Sequence, residues 1–438
     1  MAYHEFHNGV PPKSIASSLL VFIMIDLIFL SRTVAPITRK SFDTTAVFFQ
    51  AKDAPRRSLP FSRINDYLRT SNKPAVKTIQ SSDGDVIDCV PIHQQLAFDH
   101  PKLKNHKLQK QPSSGTESVN HFTKMGRSNE LRQLWHQNGS CPSATVPVRR
   151  TTAEGILRAG SLERYGRKFH QPPTAISLSE LPQPFDEQGH EHAIAYVNDD
   201  QYYGAQASIN VWRPTVEISS EFSLSQIWLL AGSFNGDLNS IEAGWQVSPE
   251  LYGDSNPRLF TYWTSDAYQA TGCYNLLCSG FIQLSSDIAI GASISPDSAY
   301  NGSQYDIQIL IWKDPVTGNW WMKFGDDFLV GYWPTELFSH LTGAATMIQW
   351  GGEIVNTQPS GQHTTTQMGS GSFPQKGFSE ASYFRNLGYV DASNQLVSHM
   401  DLHATAEHPN CYSIQLSNDN DWGDYFYYGG PGRNPNCP

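Results

Sequence analysis

Charged side chains are scarce in this sequence, and basic ones are scarcest where the chain is longest. Asp, Glu, Lys and Arg make up 16 % of 438 residues, against 12 % aromatic. So little charge beside so many rings excludes a disordered chain. Of the 31 Lys and Arg, 24 fall in residues 1–170 beside 13 of the 41 Asp and Glu, a net +11. The remaining 7 and 28 give residues 171–438 a net −21. The larger part therefore lacks the basic surface that a nucleic-acid partner requires. A basic front and an acidic back also argue for two domains with different jobs, which the length permits.

Long apolar runs are missing too, apart from one near the start. Residues 14–30 are mostly apolar, follow Lys13 and are broken by Asp26, and Ser31 and Ala35 offer cleavage positions after them. A membrane span needs about 20 apolar residues, so residues 1–35 read as a secretory signal and no later segment spans. The chain is expected to be secreted, with no membrane contact once the signal is removed. Sequons at Asn138 and Asn301 fit that route. Cysteines number only six, an even count suited to disulfides in an oxidising compartment. Cys89 pairs with Cys141, because the other four all lie beyond residue 270. Cys273 and Cys278 read as a tight disulfide loop beside Gly272, which leaves Cys411 for Cys437.

Convincing long helices are absent from the back half. Residues 36–75 are polar, basic and without clear period. Residues 79–90 read as two short strands around the Asp83-Gly84 turn, followed by a solvated loop carrying Lys102, Lys104, Lys107 and Lys110. Residues 36–169 thus make a small, mainly β front domain. Pro172, Pro173, Pro182 and Pro184 keep residues 170–192 extended and mark a linker. In residues 193–438, period-two strands recur at 207–216, 222–232, 240–247, 259–265, 288–295, 305–312, 320–324, 345–354 and 381–390. Strands at near-regular spacing without helices between them mean an all-β, antiparallel sandwich or barrel.

The common catalytic signatures are missing as well. There is no G-x-S-x-G elbow, H-E-x-x-H helix, D-[ST]-G motif or P-loop. His190-Glu191-His192 has metal-ligand residue types, but it falls in the expected linker with nothing else converging on it. What remains is a matched pair of strands. In 240–247 the pleat sends Glu242, Gly244 and Gln246 to one face and Ile241, Ala243, Trp245 and Val247 to the other. In 345–354 it sends Gln349, Gly351 and Glu353 opposite Ile348, Trp350 and Ile354. Side by side, these strands make a concave acidic face whose glycines let a substrate backbone approach. Two nearby carboxylates resist ionising together, so one can deprotonate water while the other, protonated, donates. Gln246 and Gln349 are placed to orient the water or hold an oxyanion. Taken alone, such glutamates are more often merely solvated.

These motifs resemble the neprosin family of plant secreted proteins. The resemblance runs through Ser240-Ile241-Glu242-Ala243-Gly244-Trp245-Gln246-Val247, Leu251-Tyr252-Gly253-Asp254, Phe260-Thr261-Tyr262-Trp263-Thr264, Thr271-Gly272-Cys273-Tyr274-Asn275 and Gln349-Trp350-Gly351-Gly352-Glu353. Residues 82–89 and Phe98-Asp99-His100-Pro101 resemble the family's activation peptide, so the likeness covers about residues 78–438. It implies a double antiparallel sandwich, residues 193–438, and a catalytic glutamate pair at Glu242 and Glu353, the two positions the pleat had singled out. It further implies a glutamic endopeptidase that cleaves after proline, with no cofactor and no metal.

The expected protein is thus a monomeric zymogen that takes proline-containing peptides or proteins and carries its own prodomain as inhibitor. Gln246, Gln349, Gly244, Gly351 and Tyr262 are its expected substrate contacts. At neutral pH the +11 front attracts the −21 back, and below roughly pH 4.5 the carboxylates protonate and the attraction fades. The prolines of the linker then become cleavage points. Two other readings use the same features: a β-sandwich glycoside hydrolase with a carboxylate pair, and a non-catalytic wall- or glycan-binding module with aromatics as its platform. The first has no E-x-D-x-x-E strand, and neither explains the front domain. Cell wall, secreted fluid and vacuole are all open as destinations.

Overall fold

Strands with an apolar residue at every second position can each bury one face, and two sheets stacked on those faces make the body of this protein. The computed structural model describes residues 60–113, 132–168, 189–234, 236–325 and 328–438, which belong to one compact unit, Ser58–Pro438. The expected signal at 1–35, and residues 170–188 of the expected linker, lie outside the described residues.

At the front, helix α1 (Phe61–Ser71) precedes a three-stranded sheet of β1 (Lys77–Gln80), β2 (Val86–Pro91) and β3 (Thr145–Arg149), and helix α2 (Ala153–Arg158) follows. β1 and β2 are the two strands expected around the Asp83-Gly84 turn. Helix α1 arises in a stretch read as irregular. Its apolar stripe is only Ile64, Tyr67 and Leu68, packed on Ile156, Ala159 and Tyr165, and so narrow a stripe is lost among polar neighbours.

The rest of the chain supplies β4 (His190–Val197), β5 (Gly204–Asn210), β6 (Ser223–Ala231), β7 (Asn239–Val247), β8 (Arg258–Thr264), β9 (Asp306–Lys313), β10 (Trp320–Phe324), β11 (Phe328–Trp333), β12 (Met347–Val355), β13 (Ser382–Val390), β14 (His403–Ala406), β15 (Ser413–Asp419) and β16 (Gly423–Gly429). One sheet runs β14-β4-β12-β6-β7-β8. The other runs from residues 282–283 through β11-β10-β9-β5-β13-β16-β15, with residues 396–397 beside β13. All these pairings are antiparallel, as expected for a sandwich.

Between the sheets, Ile227, Leu229, Ile241, Ala243, Trp245, Ile348 and Trp350 form one buried cluster with Ala205, Ala207, Ile209, Ile307, Ile309 and Ile311. Two of its tryptophans bridge the layers: Trp245 donates its indole N–H to the Asn210 carbonyl at 2.9 Å and Trp350 to that of Gln206 at 3.2 Å. A buried indole needs such an acceptor, and here both acceptors lie on β5.

Three expectations change. The linker does not reach residue 192, because His190-Glu191-His192 opens β4, which pairs with β12 inside the sheet. Residues 288–292 are irregular or turn, Ser293 makes only an isolated bridge with Arg258, and the short pair Ile294–Ser295 lies against Arg132–Gln133. The buried isoleucines of this stretch alternate, but Gly291 at φ 91° turns the chain between them. Residues 413–429, where no strand is expected, form the hairpin β15–β16. All three expected disulfides, Cys89–Cys141, Cys273–Cys278 and Cys411–Cys437, are formed.

The front part is bound to the sandwich by specific polar contacts. Asp85, held at 2.6 Å by Arg149 of the same front sheet, takes the fully buried Arg258 of the sandwich at 2.5 Å, and Arg258 also pairs with Asp254. Gln95 and Gln283 exchange two hydrogen bonds, and Gln109 and Ser113 donate to Asp314. The lysines of the expected solvated loop are exposed, but His106 between them reaches Tyr332 at 3.0 Å.

Candidate active site

Strand β6 separates the two glutamate strands. Its register sets Gln226 opposite Gly244 of β7 on one side and Gly351 of β12 on the other. Glu242 lies opposite Trp228 and Glu353 opposite Leu224, so the two carboxylates sit diagonally on either side of Gln226. The expected side-by-side pairing of β7 and β12 is thus corrected. With the intervening strand, both side chains slant toward one point while a third polar side chain lies between them.

Each carboxylate has one anchored oxygen and one facing oxygen. Glu242 Oε1 accepts from Ser240 Oγ and from the Tyr268 hydroxyl, both at 2.8 Å. Glu353 Oε1 lies 2.6 Å from His190 Nδ1. The two Oε2 atoms share their neighbours. Gln226 Nε2 is 3.2 Å from that of Glu242 and 3.5 Å from that of Glu353. Lys168 Nζ is 2.7 Å and 3.6 Å from the same two atoms.

Lys168 comes from the front domain, and its ammonium occupies the place between the facing oxygens. Its side chain is 10 % exposed, and those of Glu242 and Glu353 are 0 % and 3 %. Burial works against a charged ammonium, but Glu242 and Glu353 outweigh it and hold Lys168 protonated well above the usual lysine range. Burial likewise pushes the Glu353 carboxyl up. The charge of Lys168 and the His190 contact overcome that and hold it well below the usual carboxylate range. Nζ also lies 5.4 Å from the ring centroids of both Tyr262 and Tyr268, a further source of cation stabilisation.

The expected open acidic face is instead roofed. Trp228, Phe260, Tyr262, Tyr268 and Tyr274 form a second buried cluster on the dyad side of the sheet. Residues 166–168 run over it: the Tyr274 N–H donates to the Gly166 carbonyl at 2.7 Å and the Lys168 N–H to the Tyr262 hydroxyl at 3.2 Å. Burial raises the hydroxyl pKa of Tyr262, Tyr268 and Tyr274, so all three hydroxyls are neutral.

Of the sequence-derived candidates, Glu242, Glu353, Gly244, Gly351 and Tyr262 converge. Gly244 and Gly351 flank Gln226; at Gly244 a Cβ would sit 1.9 Å from the Ser225 carbonyl. They open space between strands, where the expectation was space for substrate. Gln246 shares the face of Glu242, but its side chain donates to the Tyr252 hydroxyl at 2.7 Å. Gln349 donates to the Met347 sulfur at 3.2 Å. Neither glutamine reaches a carboxylate oxygen of the dyad through any described hydrogen bond.

Gln226, His190, Ser240, Tyr268 and Lys168 escaped the sequence reading. Ser240 lies two residues before Glu242 on the same face and was legible from the pleat. His190 falls in the expected linker, and only the register of β4 on β12 brings it to Glu353. Lys168 carries no local signal beyond its position just before the proline-rich stretch. Asn138 and Asn301 are both exposed.

Residues 219–431 match the Neprosin family, and residues 78–196 match the Neprosin activation peptide. Among solved structures the chain is similar to Scytalido-glutamic peptidase with a peptide-based transition-state analogue: TM-score 0.30 and 13 % identity, over 56 % of this chain and 98 % of that one. It is also similar to SCP-B, a member of the Eqolisin family of peptidases, with the tripeptide Ala-Ile-His (0.26, 12 %, 55 % and 98 %). A third likeness is to a beta-porphyranase from the human gut bacterium Bacteroides plebeius (0.20, 9 %, 54 % and 64 %). At these scores none of the three bears on what the chain does.

Proposed function

Because the chain belongs to the neprosin family and carries that family's activation peptide, we propose that it is the secreted zymogen of a glutamic endopeptidase cleaving after proline. One observation carries the reading: a prodomain ammonium seated on the facing oxygens of both glutamates. A purely structural carboxylate pair would not need an ammonium supplied by the activation-peptide region. The aromatic wall of Tyr262, Tyr268 and Tyr274 supports proline as the recognised residue, since a pyrrolidine ring stacks well on such faces.

In the mechanism, Glu353 is the base, because His190 stays beside it when Lys168 leaves. It takes a proton from water as the water oxygen bonds to the scissile carbonyl carbon. Glu242 carries the dyad's proton and gives it to the carbonyl oxygen, which takes up the π pair. The resulting diol collapses: the C–N bond breaks, the departing nitrogen takes the proton held by Glu353, and a hydroxyl returns its proton to Glu242. No acyl-enzyme forms, and each carboxylate ends in its starting state. Activation requires a cut between the front domain and β4, and we place it within residues 169–188. The secretory route, the glycans at Asn138 and Asn301 and the monomeric state belong to the same proposal.

The Glu242→Gln and Glu353→Gln proteins should fold, keep their melting midpoints within a few degrees and lose peptidase activity. Acid incubation with a proline-containing peptide and with a polysaccharide separates the readings. Full peptidase activity in either variant, or hydrolysis of the polysaccharide alone, would overturn the proposal.

A further inference from the structure

Gln226 presents a buried polar group that neither the family match nor the carboxylate pair accounts for. It is fully buried on β6, and among the described residues no group hydrogen-bonds its Oε1. Leaving an amide oxygen buried and unpaired costs about 1–3 kcal/mol, and an apolar side chain of similar length would avoid that. The other end of the carboxamide explains why it is kept. Two carboxylate oxygens, 3.2 Å and 3.5 Å away, can be faced only by the NH2 side, which has one N–H for each. Gly244 and Gly351 lie opposite Gln226 on the two neighbouring strands, and at Gly244 an added Cβ would meet the Gln226 Cβ at 2.8 Å. Gly244 is thus needed for its strand to close on this side chain, whereas at Gly351 an added Cβ would meet Ala193 and Ile194 of β4. Gln246 and Gln349, the glutamines picked out by their spacing from the glutamates, are bonded to Tyr252 and Met347 instead.

We infer that Gln226 is a third catalytic residue: its Nε2–H donates to the oxygen of the scissile carbonyl as that oxygen gains charge. The inference rests on the glutamic-peptidase reading and adds a residue to it. While Lys168 is in place, ammonium and carboxamide both face the two Oε2 atoms. When Lys168 leaves, Nε2 is the neutral donor that remains there, fixed by strand backbone on both sides. Water bonds to the carbonyl carbon, its proton passes to Glu353, and the carbonyl π pair moves to the oxygen. That oxygen receives a hydrogen bond from Nε2 and then the proton of Glu242. Gln226 itself exchanges no proton, so its contribution is confined to the step in which charge develops.

The test uses the full-length chain, activated by acid, and a fluorogenic proline-containing peptide. Gln226→Met keeps length and bulk without the N–H. Its kcat should fall about 10²- to 10³-fold with KM within threefold and an unchanged melting midpoint. A kcat within threefold of wild type, or a loss confined to KM, overturns the inference. Gln226→Glu removes the N–H at neutral pH but can donate when protonated, so its activity should recover toward lower pH relative to wild type. If Gln226→Met does not fold, that profile decides alone, and a pH profile superimposable on wild type overturns the inference. Glu353→Gln runs beside both. Full activity there sinks the glutamic-peptidase reading, whereas an inactive Glu353→Gln beside an unaffected Gln226→Met sinks only the role of Gln226.

Discussion

Replacing Lys168 by methionine keeps the length of the plug and removes its charge. At an effective dielectric of about 20, an ammonium 2.7 Å and 3.6 Å from two carboxylate oxygens is attracted by about 6 and about 5 kcal/mol. Desolvating three buried charges takes back much of that, and breaking such a buried set costs about 3–5 kcal/mol. That corresponds to roughly 10²- to 10⁴-fold in the equilibrium between a seated and a released front domain. On the proposed function, the Lys168→Met chain should therefore cleave a fluorogenic proline-containing peptide at neutral pH, where the wild-type chain should stay latent. Its pH dependence should also weaken. In the wild type the Glu353 pKa is depressed, so the associated stability is present above the ordinary carboxylate value of about 4.3 and is lost as pH falls through the depressed value. Without the ammonium, the His190 contact still opposes burial at Glu353, so the depression of its carboxyl shrinks. Between pH 7 and pH 3 the variant should then lose less stability than the wild type. Urea melts at both pH values measure this. A variant as latent as the wild type, with the same pH dependence, would refute the plug.

Two other sites give independent expectations. Asp85→Asn removes one carboxylate from the buried Arg258 and the partner of Arg149, while Asp254 still pairs with Arg258. It should weaken the hold on the front domain by about 2 kcal/mol and shorten the acid activation half-time severalfold, followed by gel electrophoresis. Gly244→Ala would push a methyl into the Ser225 carbonyl and the Gln226 backbone. It should destabilise the sandwich by about 2–3 kcal/mol or more in denaturant melts and reduce activity even where the protein is folded. A neutral Gly244→Ala would mean that β6 and β7 can separate there without loss.

The charge asymmetry of the sequence takes a more specific form in the structure. Ionic contacts between front and back run both ways: Lys168 meets Glu242 and Glu353, but Asp85 of the front meets Arg258 of the back. The depressed Glu353 also moves release of the Lys168 contact below the pH 4.5 at which ordinary carboxylates begin to protonate. Net charge says that two parts attract. It does not say which pairs are buried, and buried pairs set the pH at which they part.

By itself the sequence determined the class of fold and the two glutamates. Alternation with period two survives in a linear reading because neighbouring side chains point to opposite faces whatever the sheet looks like. It therefore placed Glu242 and Glu353 opposite the core residues Ile241, Trp245, Ile348 and Trp350, and cysteine position alone paired all six cysteines. Where a residue's role depends on which strand lies beside it, the sequence was silent. Gln226 stands between the glutamates only because β6 pairs with both β7 and β12, and His190 meets Glu353 only because β4 pairs with β12 on its other side. Lys168 is the extreme case, 74 residues from Glu242 in sequence and 2.7 Å away in space. Strand order and domain docking are fixed by burial summed over many residues, and that sum leaves no mark on the few side chains it brings together.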